Sequence, residues 1–213
     1  MIKAVIFDMD GVLVDTEPIY YERLIRFLEH HEIEADKKEL KKTVGLTSKD
    51  TWKWVEKVFG KGSIQDDYDS AYHSFYKEQP IPYREILDRD IFEVLDWLKQ
   101  EEYKVGLASS SSFRNIQSVL EECELTGYFE TILSGEMFQQ SKPHPEIYLK
   151  SAEKLEVRPQ ECLAVEDSTF GIKAGKAAEM FVLAKEDNRF NFQQDLADKK
   201  IKSLKEIMEE LKP

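Results

Sequence analysis

An apolar run, Ile2 and Ala4 to Phe7 broken only by Lys3, opens the chain and stops abruptly at Asp8 and Asp10, two carboxylates one residue apart. A short continuous run of this kind predicts a strand buried on both faces of a sheet. Its end reads two ways from local pattern alone. In an open parallel sheet ligands bind at the carboxyl ends of the strands, which would make the two aspartates functional. Asp10-Gly11 between apolar segments is also the signature of a tight hairpin, with Asp8 then a solvated strand end.

From Thr16 to Pro82 the apolar positions recur at helical spacing with no strand among them. Thr16 is expected to cap a helix with Pro18 in its first turn and an apolar stripe of Ile19, Leu24, Ile25 and Leu28 as far as about His31. Asp36 with Glu39 has the capping-box pattern for a short helix ending near Gly45. Thr47 or Ser48 opens a third helix, closed by Gly60 after Phe59. A fourth starts at Ser63, carries Tyr68, Tyr72, Phe75 and Tyr76, and ends before Pro80 and Pro82. Aromatic stripes at this spacing predict helix-packing core.

The period then changes. Asp90 is expected to cap the helix Ile91 to Lys99, Lys104–Ser109 is a strand, Ser112 caps a helix to about Cys123, and Thr131–Ser134 is a strand. Pro145 starts the helix Glu146 to Leu155, Cys162–Asp167 is a strand, Thr169–Ala178 a helix, Met180–Ala184 a strand, and Ile201 to Leu211 a short strand and a helix capped by Ser203. Such alternation predicts parallel strands joined by right-handed crossovers. The expected fold is therefore a doubly wound, Rossmann-like α/β core, residues 1–15 and 83–213, with an all-helical cap domain, residues 16–82, inserted as a lid over the carboxyl end of the first strand.

Composition narrows the partners. With 42 acidic and 30 basic residues the formal net charge is −12, which argues against a nucleic-acid or acidic-membrane partner. No apolar run approaches the ~18 residues of a membrane span, and the first residues run straight into a strand without a charged-then-apolar leader. Cys123 and Cys162, both in apolar settings, fit reduced core thiols. A cytoplasmic monomer is the expectation.

The residues that end each core strand share chemistry. Asp8 and Asp10 follow the first, Ser109 and Ser110 the second, Lys142 comes shortly after the third, and Glu166 and Asp167 end the fourth. Parallel strands would bring these to one edge of the sheet. Clustered carboxylates repel unless a cation neutralises them, and oxygen ligands select a hard ion such as Mg²⁺. Lys142 and the backbone amides at the Ser109-Ser110 helix entrance supply what an anion needs. Metal, anion grip and a spare carboxylate together point to phosphoryl transfer. Each piece also has a plain structural reading, and it is their joint occurrence in order that favours the functional one. His144, between two prolines, reads as structural.

Four segments carry a resemblance: Asp8-Met9-Asp10-Gly11-Val12-Leu13-Val14-Asp15-Thr16-Glu17-Pro18, Ala108-Ser109-Ser110-Ser111, Ser141-Lys142-Pro143-His144-Pro145-Glu146-Ile147-Tyr148, and Val165-Glu166-Asp167-Ser168-Thr169-Phe170-Gly171-Ile172-Lys173-Ala174-Gly175. They resemble the four motifs of the haloacid dehalogenase superfamily, in its β-phosphoglucomutase-like branch with a helical cap. The resemblance implies that Asp8 is a nucleophile forming an aspartyl-phosphate and Asp10 the general acid and base. It implies that Asp8, the Asp10 backbone carbonyl and Asp167 hold Mg²⁺, with Glu166 as ligand or behind the ligands. Ser109, the Ser110 amide and Lys142 would bind the transferring phosphoryl group.

The chain departs from the mutase pattern in its cap, where Tyr20 stands in place of a histidine and Ser48, followed by Lys49, in place of an arginine. A mutase must hold a second phosphate while its bisphosphate turns over, and a forked guanidinium does that better than an ammonium. The first expectation is therefore a Mg²⁺-dependent phosphatase of small phosphorylated metabolites such as sugar or nucleotide monophosphates. The alternative is a sugar-phosphate mutase, and a more distant one a catalytically idle binding protein of the same fold. Tyr20 and Lys49, then Trp52, Lys53 and Tyr76, are the candidates for a substrate pocket in the cap. Leu87-Asp88-Arg89-Asp90 and Glu179 also replace a Pro-Gly turn and a glycine of the pattern, away from the chemistry.

Overall fold

Ala4–Phe7 form β1, all four side chains wholly buried, at the centre of a six-stranded sheet. The computed structural model describes residues 1–62, 64 and 67–212. The other strands are β2 (Lys104–Ser109), β3 (Thr131–Ser134), β4 (Cys162–Glu166), β5 (Phe181–Lys185) and β6 (Lys199–Ile201). Every pairing is parallel, in the order β3-β2-β1-β4-β5-β6. The chain winds outward from β1 in one direction, returns, and winds outward from β4 in the other. The reversal lies between β1 and β4, and such a switch point opens a crevice at the carboxyl ends of the two strands.

Among the described residues the helices are α1 (Glu17–His30), α2 (Lys37–Leu40), α3 (Ser48–Phe59), α4 (Tyr68–Phe75), α5 (Ile91–Gln100), α6 (Phe113–Glu122), α7 (Glu146–Lys154), α8 (Thr169–Ala177) and α9 (Glu206–Leu211). The fold is the doubly wound α/β sheet with α1–α4 inserted after β1. Ile147, Tyr148 and Ala152 of α7 and Ile172 and Ala174 of α8 share one buried cluster with Ala4, Ile6, Ala108, Ala164 and Val182 of the sheet. These alternate residues face one side because the strand period is two. Right-handed crossovers put α5 and α6 on the other side. Two compact units result, Met1–Asp15 with Tyr83–Pro213, and Thr16–Pro82. In the helical unit Leu24, Phe27, Leu28, Leu40, Trp52, Val55, Tyr68 and Tyr76 make the core, and the Trp52 ring stacks on Tyr68 at 5.3 Å. Trp52 and Tyr76 are thus packing residues, and Lys53 is an exposed partner of Asp50 at 3.6 Å. No helix among the described residues is long and apolar enough to cross a membrane.

Helix starts follow local chemistry where the cap residue is extended. Asp36, Thr47, Asp67, Ser112 and Ser168 each accept a hydrogen bond from an amide two or three residues on. Thr16 and Asp90 precede their helices in the right-handed helical region and cap nothing with their side chains. The Asp90 carboxylate is drawn away by the Ser203 hydroxyl, which donates to it at 2.7 Å. α9 accordingly starts at Glu206, later than Ser203, and the Glu206 carboxylate reaches back to the Lys202 and Ser203 amides. Glu39 makes no box: it pairs with Lys42 at 2.7 Å. α4 starts at Tyr68, and Ser63 lies outside the described residues.

Five helix ends break a residue preference. After α1, α5, α6, α7 and α8 the chain turns through a glutamate at positive φ: Glu32, Glu102, Glu124, Glu156 and Glu179, at 55–60°. The next residue, respectively Ile33, Tyr103, Leu125, Val157 or Met180, donates its amide to the carbonyl five residues back, at 2.8–3.1 Å. This is the Schellman closure that glycine ordinarily provides, and its apolar follower drives the turn. A side chain in that region costs about 1–2 kcal/mol. Replacing Glu102, Glu124, Glu156 and Glu179 by glycine is therefore expected to raise stability by about 0.5–1 kcal/mol each after the greater chain entropy of glycine is subtracted. Thermal and denaturant unfolding of the quadruple variant measures it, and an unchanged or lower midpoint would sink the idea.

Candidate active site

β1 and β4 pair with Phe7 opposite Val165, and the Asp8 amide donates to the Val165 carbonyl at 2.9 Å. Asp8 and Glu166 therefore leave adjacent strands at the same height, with Asp167 one residue on. Ligand oxygens of Asp8, Glu166 and Asp167 lie within 4.8 Å of one another, and all three residues are buried. Met9 to Val14 form no hairpin strand. Three amides, those of Val12, Leu13 and Val14, converge on the Met9 carbonyl, and the Gly11 amide donates to Val14. Gly11 has φ +79°, and a Cβ there would overlap the Asp167 carboxylate, so the turn both requires and shields a glycine.

Lys142 enters from the loop between β3 and α7, through a cis peptide bond to Pro143. Its ammonium donates to Asp8 Oδ1 at 2.6 Å, Glu166 Oε1 at 2.5 Å and the Ala108 carbonyl at 3.0 Å. These use all three of its protons. The side chain is 5% exposed, so Lys142 stands as the counter-ion of the carboxylates, and a bound phosphoryl group would share one of its protons. Asp10, half-buried, accepts from the Ser111 hydroxyl at 2.7 Å and from Ser109 at 3.5 Å. The Ser109 hydroxyl in turn accepts the Ser111 amide at 3.0 Å. Gly135, after β3, lies against the backbone of Ser110.

The cluster is short of positive charge. Burial above all, then the neighbouring carboxylates of Glu166 and Asp10, push Asp8 up to about 8 against the pull of Lys142. Burial alone would depress Lys142, but Asp8 and Glu166 outweigh it and hold the ammonium above its usual range. Fully ionised, the three buried carboxylates (−3) with one ammonium (+1) would leave −2, the charge one divalent cation would balance as it displaces the Asp8 proton. An all-oxygen donor set with that deficit fits Mg²⁺.

The structure therefore brings Asp8, Asp10, Ser109, Lys142, Glu166 and Asp167 to one edge of the sheet, with Ser110 in the same loop as Ser109. Tyr20 and Lys49 lie in the helical unit, Lys49 exposed on the first turn of α3. Sequence reasoning missed four supporting residues. Tyr148 donates its hydroxyl to Glu166 Oε1 at 2.6 Å. Ser111 holds Asp10, and the buried Gln194 amide donates to the Asp167 carbonyl at 2.6 Å and the Lys185 carbonyl at 2.8 Å. Gly171 is the fourth. It lies inside α8, where alanine ordinarily gains about 1 kcal/mol, yet a Cβ there would overlap the Glu166 carboxylate. A glycine inside a helical pattern was the available signal. Gly171→Ala is expected to destabilise the chain by about 2 kcal/mol or more through overpacking; a melting temperature at or above that of the parent would contradict the placement of Glu166.

Comparisons with known proteins agree with this geometry. Residues 5–185 match the haloacid dehalogenase-like hydrolase family. The chain is 33% identical to hexitol phosphatase B of Escherichia coli K12 over 97% of its own length and 94% of that protein's. It is 30% identical to the β-phosphoglucomutase of Bacillus subtilis, over 85% of this chain and 82% of that one. The crystal structure of β-phosphoglucomutase from Clostridium difficile superposes with a TM-score of 0.80 at 26% identity, covering 99% and 96% of the two chains. With the doubly wound sheet, the helical insertion after β1 and the carboxylate edge, these matches establish that the chain belongs to the haloacid dehalogenase-like hydrolase family.

Proposed function

We propose that the chain is a Mg²⁺-dependent phosphatase of small phosphorylated metabolites, sugar phosphates first among them. The observation that carries the reading is the buried Asp8, held by Lys142 at 2.6 Å beside Glu166 and Asp167. Asp8 Oδ attacks phosphorus as the bond to the leaving oxygen breaks, giving an aspartyl-phosphate. Asp10, half-buried where Asp8 is buried, gives its proton to that leaving oxygen and then takes one from the attacking water. Water attack releases phosphate and restores the Asp8 carboxylate. Ser109, the Ser110 amide and Lys142 orient the phosphoryl oxygens, and Asp8, the Asp10 carbonyl and Asp167 would hold the cation. Bound Mg²⁺ would offset the charge of the phosphoryl oxygens and of the carboxylates around it.

The names of the relatives support the substrate class, since one acts on hexitol phosphates and another is a phosphoglucomutase. The second keeps a sugar-phosphate mutase as the alternative. Phosphate release from sugar phosphates and nucleotide monophosphates, with Mg²⁺ or with chelator, tests the reading. Release that needs Mg²⁺ is expected. Silence across the panel, with glucose 1-phosphate isomerised only when a bisphosphate is added, would replace the phosphatase by the mutase.

A further inference from the structure

Glu166 is wholly buried and has no lone pair to spare. Its Oε1 accepts from the Lys142 ammonium at 2.5 Å and from the Tyr148 hydroxyl at 2.6 Å. Its Oε2 accepts from the Asp167 amide and the Ser168 hydroxyl, both at 3.2 Å. A carboxylate offers about four lone-pair sites, and four donors are present. Gly171 closes the remaining side, since a Cβ there would overlap the carboxylate. Burial, then the charges of Glu166 and Asp8, hold the Tyr148 phenol well above its usual range, so it stays a donor. The Lys142 ammonium lies 5.0 Å from the centre of its ring.

We propose that Tyr148 is a positioning residue: with Lys142 and Ser168 it saturates the Glu166 carboxylate, withholding it from the cation and leaving Asp8 and Asp167 as the carboxylates that bind metal directly. Glu166 then acts from behind, as charge and as the strut that fixes Lys142 beside Asp8. This rests on the reading of the cluster as a Mg²⁺ site. A donated hydrogen bond also drains negative charge from the carboxylate, so removing it strengthens the field at the cation.

Tyr148→Phe keeps the buried ring and deletes only the donor. Mg²⁺ titrated into the substrate-free chain by calorimetry is expected to bind about three- to tenfold more tightly to the variant, the worth of one hydrogen bond to the carboxylate and opposite in sign to the loss that follows when a partner that orients a metal-binding side chain is removed. Thermal unfolding in chelator is expected to show a loss of several degrees. Unchanged or weaker Mg²⁺ binding beside the same thermal loss would make Tyr148 a packing residue and overturn the proposal. Should Tyr148→Phe not fold, Ser168→Ala unloads Oε2 instead: tighter binding supports the saturation argument, and unchanged or weaker binding overturns it. Calorimetry needs no turnover, so a chain without phosphatase activity would still report on Tyr148. A parent chain that binds no Mg²⁺ at all would sink the metal site itself.

Discussion

Asp8→Asn is expected to abolish phosphate release, by roughly 10⁴-fold or more, the loss that removing the proposed nucleophile entails, while leaving a chain at least as stable as the parent in chelator. The two halves of that expectation have one cause. Asp8 is placed where its charge is costly, and burial is the largest reason that its carboxyl titrates at about 8. Asparagine keeps the shape and discards the charge, and Lys142 retains Glu166 and the Ala108 carbonyl. The sign follows from linkage. A carboxyl raised in the folded state binds a proton that the unfolded chain has released above pH 4, so the stability it contributes is lost as pH rises from about 4 to about 8. Asparagine has no such slope. Denaturant unfolding of both proteins in chelator between pH 5 and 9 should show the parent losing ground to the variant as pH rises to about 8. Parallel curves would mean that Asp8 is not the strained group. In the parent, Mg²⁺ binding below pH 8 should release close to one proton, and in the variant none.

Strand positions were legible because parallel strands are buried on both faces and so appear as unbroken apolar runs, as in Ala4–Phe7 and Cys162–Glu166. The acids at their ends stood out because nothing local explains them. The choice between a hairpin and a strand end at Asp10-Gly11 was not local at all: it rests on the register of Phe7 with Leu107 and Val165, residues a hundred and more positions away. Asp90 failed as a cap for a similar reason, its partner Ser203 being 113 residues distant. The glutamates at positive φ are tertiary overrides of propensity, each held by the apolar residue that follows. Tyr148 lies on the buried face of α7, where sequence pattern alone marks an aromatic residue as core. Its hydroxyl gains meaning only from Glu166 of the neighbouring strand. Gln194 lies 27 residues beyond Asp167, in the loop before β6, with no pattern to mark it.

Lys142→Met should lose most of its activity together with much of its stability. The methionine fills nearly the same volume, so packing changes little, and what disappears is the one positive charge among buried carboxylates. Removing one partner of a buried ion pair typically costs 3–5 kcal/mol, because the other charge is left uncompensated; in a chain of this size that is on the order of 10 °C in melting temperature. Here two carboxylates are left, since the same ammonium bridges Asp8 at 2.6 Å and Glu166 at 2.5 Å. The loss should therefore depend on pH: largest above pH 8, where Asp8 is ionised, and smaller as pH falls and the cluster takes up protons. Divalent cations should recover part of it, and Glu166→Gln added to Lys142→Met should recover another part by removing one of the repelling charges. Melting curves of parent, single and double variants at pH 6 and 9, with chelator and with Mg²⁺, separate these contributions. A loss independent of pH and cation would assign Lys142 to packing alone, and a double variant no more stable than the single would mean that Glu166 is not the charge Lys142 answers.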